Sequence, residues 1–160
     1  MPLNACDRPF TAMSRLPDDF KDFLRLLNVH HVEYLVIGGY AVGYHGYPRA
    51  TADLDVWIAR SPENAARVVT ALREFGFADA TLSVDLFLEP ARIVRMGVPP
   101  FRIEIATTIS GVEFDVCFEN RVTTLIDDVP AFIIDVAHLR ENKRASGRHK
   151  DLDDLEHLPS

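Results

Sequence analysis

Hydrophobic and polar positions along the chain follow two rhythms, one helical and one of strand length. Over residues 17–28, Phe20, Phe23, Leu24 and Leu27 recur at helical spacing, with Asp18 and Asp19 placed to meet the helix dipole. A second helix is predicted from Ser61 as cap and Pro62 as first helical residue, with Ala65, Val68, Val69, Leu72 and Phe75 on its buried face and Gly76 as its stop. Between them lie two apolar runs of strand length, residues 34–37, which end at Gly38-Gly39, and residues 53–58. A short helix over residues 41–45 links them and breaks at Gly46-Tyr47-Pro48. Residues 77–90 carry no clear period. Residues 92–96, 101–106 and 112–116 read as strands, separated by Pro99-Pro100 and Ser110-Gly111. Residues 122–126 and 131–134 flank Asp127-Asp128-Val129-Pro130 and predict a hairpin. Asp135 then caps a helix from residue 136 to about 145, Gly147 ends it, and residues 150–158 add a last helical segment. This order predicts an α+β protein, a mixed β-sheet with flanking helices.

The strand Asp53-Leu54-Asp55-Val56-Trp57-Ile58 poses an electrostatic problem. Residues two apart on a strand point the same way, so Asp53 and Asp55 share a face about 7 Å apart while Leu54, Val56 and Ile58 turn to the core. Holding two like charges beside apolar neighbours is costly unless a cation or a hydrogen-bond network compensates. Mg²⁺ suits such a pair, because it binds through one or two carboxylates together with substrate phosphates. The pattern therefore points to phosphoryl or nucleotidyl transfer. Gly38-Gly39, directly after a strand, permits either a tight turn or the close approach of backbone N–H groups to a phosphate.

Bulk composition narrows the setting. At 160 residues the chain fits one domain over residues 16–160, preceded by a loosely ordered leader over residues 1–15 in which Met13 is an alternative start. No apolar run is long enough to span a bilayer, and the first residues lack the basic start and apolar stretch of a secretory signal. The two cysteines, Cys6 and Cys117, form neither a disulfide framework nor a metal-ligand spacing, which suits a reducing cytoplasm. A formal net charge of −7 argues against bulk DNA binding. Positive charge is instead local: Arg140, Lys143, Arg144, Arg148 and Lys150 precede an acidic run over residues 151–156. Such blocks often form no more than solvated helix faces.

Taken together, strand, Gly-Gly, short helix and Asp-x-Asp strand resemble the nucleotidyltransferase superfamily, the fold of DNA polymerase beta and kanamycin nucleotidyltransferase. The stretch YLVIGGYAVGYHGYPRATADLDVWI is similar to small bacterial AbiEii-type and minimal nucleotidyltransferase proteins of toxin-antitoxin systems. The resemblance continues through IVRMGVPPFRIEIATTISGVEF and LRENKRASGRHKDLDDLEHL, so it covers nearly everything from Leu16 onward. It implies a nucleotidyltransferase fold in which Asp53, Asp55 and a third carboxylate hold two Mg²⁺ ions and an NTP such as ATP. Glu104 falls where relatives usually carry Asp, and Asp115 in Phe114-Asp115-Val116 is the rival third acid. Gly38 and Gly39 would cradle phosphates, with Arg49, Thr51, Lys143 and Lys150 as further nucleotide contacts and Arg148 part of the same C-terminal basic motif. For Arg49 the alternative is a simple ion pair with a nearby carboxylate. Asp151 and Asp154 would orient the basic residues rather than bind metal. His45 sits at a helix end, where a structural role competes with substrate contact. Tyr40, Tyr44, Tyr47 and Trp57 offer either a stacking surface for a base or core packing.

Two functions remain in play. The first is transfer of NMP from an NTP to a macromolecular hydroxyl, a protein side chain or an RNA end, with a cognate toxin or antitoxin as partner and no membrane involved. The second is a weak or inactive module of the same fold that neutralises or regulates its partner by contact. The glutamate at position 104 keeps the second reading open.

Overall fold

The computed structural model describes residues 15–77, 79–98 and 100–160. The expected leader, with Cys6 and Met13, therefore lies outside the described residues apart from Arg15, and so does Pro99 of the Pro-Pro separator. The amphipathic pattern near the start forms α1, Asp18–Val29, with Phe20, Phe23, Leu24 and Leu27 buried. Next come β1, Tyr34–Ile37, α2, Gly38–Tyr44, and β2, Asp53–Ile58. Helix α3, Pro62–Phe75, is capped by the Ser61 side chain, which accepts from the Asn64 N–H, and ends at Gly76. It packs on α1 through the edge-to-face pair Phe23 and Phe75. A short 3-10 turn, Val84–Phe87, lies in the stretch without a period. Strands β3, Ile93–Met96, and β4, Arg102–Ala106, follow, then α4, Phe114–Glu119, β5, Val122–Ile126, β6, Val129–Ile133, α5, Val136–Ser146, and α6, His149–His157.

All six strands join one mixed sheet in the order β3-β4-β2-β1-β6-β5. Strands β2 and β4 run parallel, with Asp53 opposite Arg102 and Asp55 opposite Glu104, while β1 runs antiparallel to β2 and sets Ile37 beside Asp55. This is the α+β mixed sheet with flanking helices that the order of elements predicts. Leu54, Val56 and Ile58 are buried as expected, but Trp57 is buried too, because Phe114 of α4 meets its ring edge-on at 5.1 Å on the face that also carries Asp53 and Asp55. Among the described residues no helix is long and apolar enough to cross a membrane.

Three local expectations need correction. Residues 112–116 do not form a strand: Phe114, Cys117 and Phe118 obey helical spacing, the two phenylalanine rings stack at 5.3 Å, and Cys117 is buried while Val116 lies exposed. A strand would have placed Phe114 and Val116 on one face, and three apolar contacts at helical spacing outweigh the local β propensity. Helix α2 starts at Gly38, not at residue 41. The hairpin turn shrinks to Asp127-Asp128, both with positive φ, so Val129 and Pro130 belong to β6. Two successive left-handed residues match the twist of the strands they join, and Asp tolerates that conformation better than most residues.

Candidate active site

The sheet register brings the predicted acids together. Asp55 lies directly opposite Glu104 across the β2/β4 pair, and Asp53 lies two residues earlier on the same face. Over them bends the start of α2. Gly38 has φ +67°, and a Cβ there would fall 2.2 Å from Asp55 Oδ2, so only glycine admits this approach of backbone to carboxylate. A Cβ at Gly39 would likewise fall 2.6 Å from Thr51 Oγ1. Gly38, Gly39, Thr51, Asp53, Asp55 and Glu104 thus occupy one end of the central strands. The Thr51 hydroxyl donates to the Asp53 carbonyl at 3.3 Å, holding the entry to β2.

Asp55 is the electrostatically exposed point of this arrangement. Burial, the charge of Glu104, the hydrogen bond its protonated form makes with Glu104, and the charge of Asp53 together push its carboxyl up to about 7, against the opposing pull of Lys150. Asp55 Oδ1 is buried without a hydrogen-bond partner. Such an orphan is rare in a folded protein and calls for a ligand or a proton. An all-oxygen donor set with one uncommitted buried oxygen fits a hard divalent cation. Among the described residues, however, no three His, Cys, Asp or Glu side chains already converge on a single point. Two of the three acids face arginines: Arg95 Nε lies 2.9 Å from Glu104 Oε1, and Arg102 Nε lies 3.8 Å from Asp53 Oδ1. Asp115, the rival acid, stands on the first turn of α4 beside a separate cavity of about 410 Å³ with Glu113 and Trp57, and does not number among the charges acting on Asp55.

The basic residues divide into two sets. Lys143 is buried, its Nζ 3.1 Å from both Asp151 and Asp154, whose side chains are fully covered. Arg49 reaches the same Asp154 with two hydrogen bonds of 2.9 and 3.1 Å. Of the two readings open for Arg49, the structure displays the carboxylate pair, and Lys143 stands as the centre of an ion network rather than as a free phosphate contact. That network ties α5 and α6 to the loop entering β2, and Asp151 and Asp154 orient cations as expected. Lys150, by contrast, is exposed, and its charge reaches Asp55. Arg148 is exposed as well; it pairs with Asp151 at 2.8 Å and its charge also reaches Asp55 and Glu104.

Arg95 and Arg102 are the members of this site that the sequence pattern alone does not single out, whereas Arg148 belongs to the basic motif already named. Arg102 was within reach of a sequence reading, since Arg102 and Glu104 lie two apart on one strand and must share a face. Arg95 was not, because its pairing depends on the β3/β4 register. Of the remaining candidates, His45 Nε2 bonds the Ile134 carbonyl at 2.7 Å, its pKa lowered chiefly by burial. Tyr40 and Trp57 are core residues, and Tyr47 stacks on His157 while donating to Asp153. A cavity of about 420 Å³ opens beside Thr51, lined by Tyr40, Ala50 and Phe101 among others. No protein-family model matches the chain, and no curated protein matches it.

Proposed function

We propose that this protein is a metal-dependent nucleotidyltransferase that passes NMP from an NTP to a hydroxyl of a protein side chain or an RNA end. The observation that carries the reading is Asp55: a half-buried carboxyl with one covered, orphaned oxygen, pressed against a glycine that no other residue could replace, and faced by Glu104 across a parallel strand pair. Asp53, Asp55 and Glu104 would hold two Mg²⁺ ions, which when bound neutralise the triphosphate and acidify the attacking hydroxyl. Glu104 accepts the proton of that hydroxyl as its oxygen attacks the α-phosphorus and pyrophosphate leaves. Lys150 and Arg148, the exposed cations whose charge reaches the acids, meet the phosphates. Positioning and charge neutralisation supply most of the rate. A cytoplasmic toxin-antitoxin or defence setting, with a cognate toxin or antitoxin as acceptor, belongs to the same proposal and rests on the resemblance of residues 34–58.

One observation favours the second reading, a module that acts by contact alone. Two of the three acids already have arginine partners, so the site is electrically quieter than three bare carboxylates. The readings part in a labelling experiment with α-labelled NTPs, Mg²⁺, total RNA and candidate partner proteins. Wild type is expected to label an acceptor, and Asp55→Asn to lose on the order of 10²–10³-fold of that rate with its fold intact. Absence of transfer by wild type, with partner binding unchanged in Asp55→Asn, would establish the contact module instead.

A further inference from the structure

We propose that Arg95 and Arg102 are phosphate-positioning residues that hold the place of the cation at the acids and turn to the substrate's polyphosphate when the cation binds. The proposal deepens the nucleotidyltransferase reading and rests on it. Both arginines arrive at the acids through strand register, Arg95 opposite Glu104 and Arg102 opposite Asp53. Both are open to solvent, with side chains 58% and 43% exposed, whereas the network cation Lys143 is 6% exposed. The Arg102 contact is also loose: its Nε is buried without a hydrogen-bond partner, 3.8 Å from the nearest Asp53 oxygen. Exposed ion pairs of this kind hold weakly and re-form easily.

A carboxylate that binds a divalent cation holds a guanidinium at its oxygens much less strongly, because the two positive charges repel at short range. Cation binding therefore frees both arginine heads at the rim of the site, next to acids that the charges of Lys150 and Arg148 also reach. A guanidinium released there finds its best partner in a phosphate, which it can grip with two parallel N–H donors. The ligand class is accordingly a polyphosphate ester, and the same side chains oppose the metal in its absence and favour the substrate in its presence.

That dual role predicts effects of opposite sign from one substitution. Mn²⁺ binding, followed by the paramagnetic resonance of the free ion, and binding of tripolyphosphate with Mg²⁺, followed by calorimetry, are compared in wild type, Arg95→Met, Arg95→Lys and Arg102→Met. Arg92→Met serves as the charge control, since Arg92 is exposed and pairs with Glu89 instead of the acids. Arg95→Met and Arg102→Met are expected to bind Mn²⁺ about twofold to fivefold more tightly and tripolyphosphate about tenfold more weakly. Arg95→Lys should fall between, and Arg92→Met should match wild type in both. Affinities that move together, or a control that behaves like Arg95→Met, would overturn the arginine role. An Asp55→Asn arm separates the two levels: if it loses Mn²⁺ while Arg95→Met changes nothing, only the arginine inference fails. If Mn²⁺ binds wild type and Asp55→Asn alike, or neither, the nucleotidyltransferase reading fails with it.

Discussion

Asp55, half-buried, and Asp151, fully covered, both sit in ionic surroundings, yet they are driven to opposite ends of the carboxylate range. Burial raises Asp151, but hydrogen bonds from Arg148, Ser146 and Lys143 and the charge of Lys143 outweigh it and take the carboxyl down to about 2. At Asp55 burial is joined by two neighbouring acids, which outweigh the opposing charges of Lys150 and Arg148, so the carboxyl rises to about 7. The first aspartate is balanced by the protein itself, and its network joins α5, α6 and the loop that enters β2. The second is left unbalanced. One aspartate is satisfied in full and the other keeps an orphaned oxygen, and that contrast is what supports the proposed cation site.

The largest effect should come from breaking the balanced side. Lys143→Met leaves Asp151 and Asp154 buried without their shared cation, and denaturant unfolding should show a loss of about 3–5 kcal/mol. Acid sensitivity should follow from the same network. Because the folded pKa of Asp151 is depressed from 3.8 to about 2, its contribution is present above pH 4 and is lost as pH falls through 2. The loss amounts to about 2 kcal/mol and should vanish in Asp151→Asn, on a baseline that the substitution itself lowers. On the unbalanced side, Glu104→Asp should keep or raise transfer under the proposed function, since Asp keeps the carboxylate opposite Asp55. Asp115→Ala should change transfer least, because Asp115 lies on α4 beside a different cavity. Loss of labelling in Asp115→Ala with Glu104→Ala unaffected would reassign the third acid.

The sequence exposes these two regions unequally. Strands β1 and β2, the caps of α3 and α5, and the stop at Gly147 are legible because each depends on local spacing and on one or two residues of fixed conformational habit. Helix α4 is misread because residues 112–116, Val-Glu-Phe-Asp-Val, alternate apolar and charged positions as a strand does, and the deciding contact with Trp57 is distant in sequence. Within the site, Asp53, Asp55 and the glycine turn are readable from one continuous segment. Glu104 follows from resemblance, and the structure then sets it across from Asp55. Pairings that cross elements escape a linear reading, which is why Lys143 reads as a phosphate contact although Asp151 and Asp154 enclose it, and why Arg95 goes unnoticed.

The central claim, that Asp55 carries unbalanced charge kept for a divalent cation, is tested most directly by thermal unfolding of wild type and Asp55→Asn at pH 8 with and without Mg²⁺. A carboxyl raised from 3.8 to about 7 helps the fold below pH 4 and loses that contribution as pH rises through 7, so at pH 8 without added metal the protein carries a half-buried charge beside two other acids at a cost. Asp55→Asn keeps the shape and removes the charge, and without metal it should be more stable than wild type by on the order of 1–4 kcal/mol. Mg²⁺ should then raise the melting temperature of wild type and leave that of Asp55→Asn unchanged. A variant no more stable than wild type, with Mg²⁺ stabilising both equally, would contradict the account.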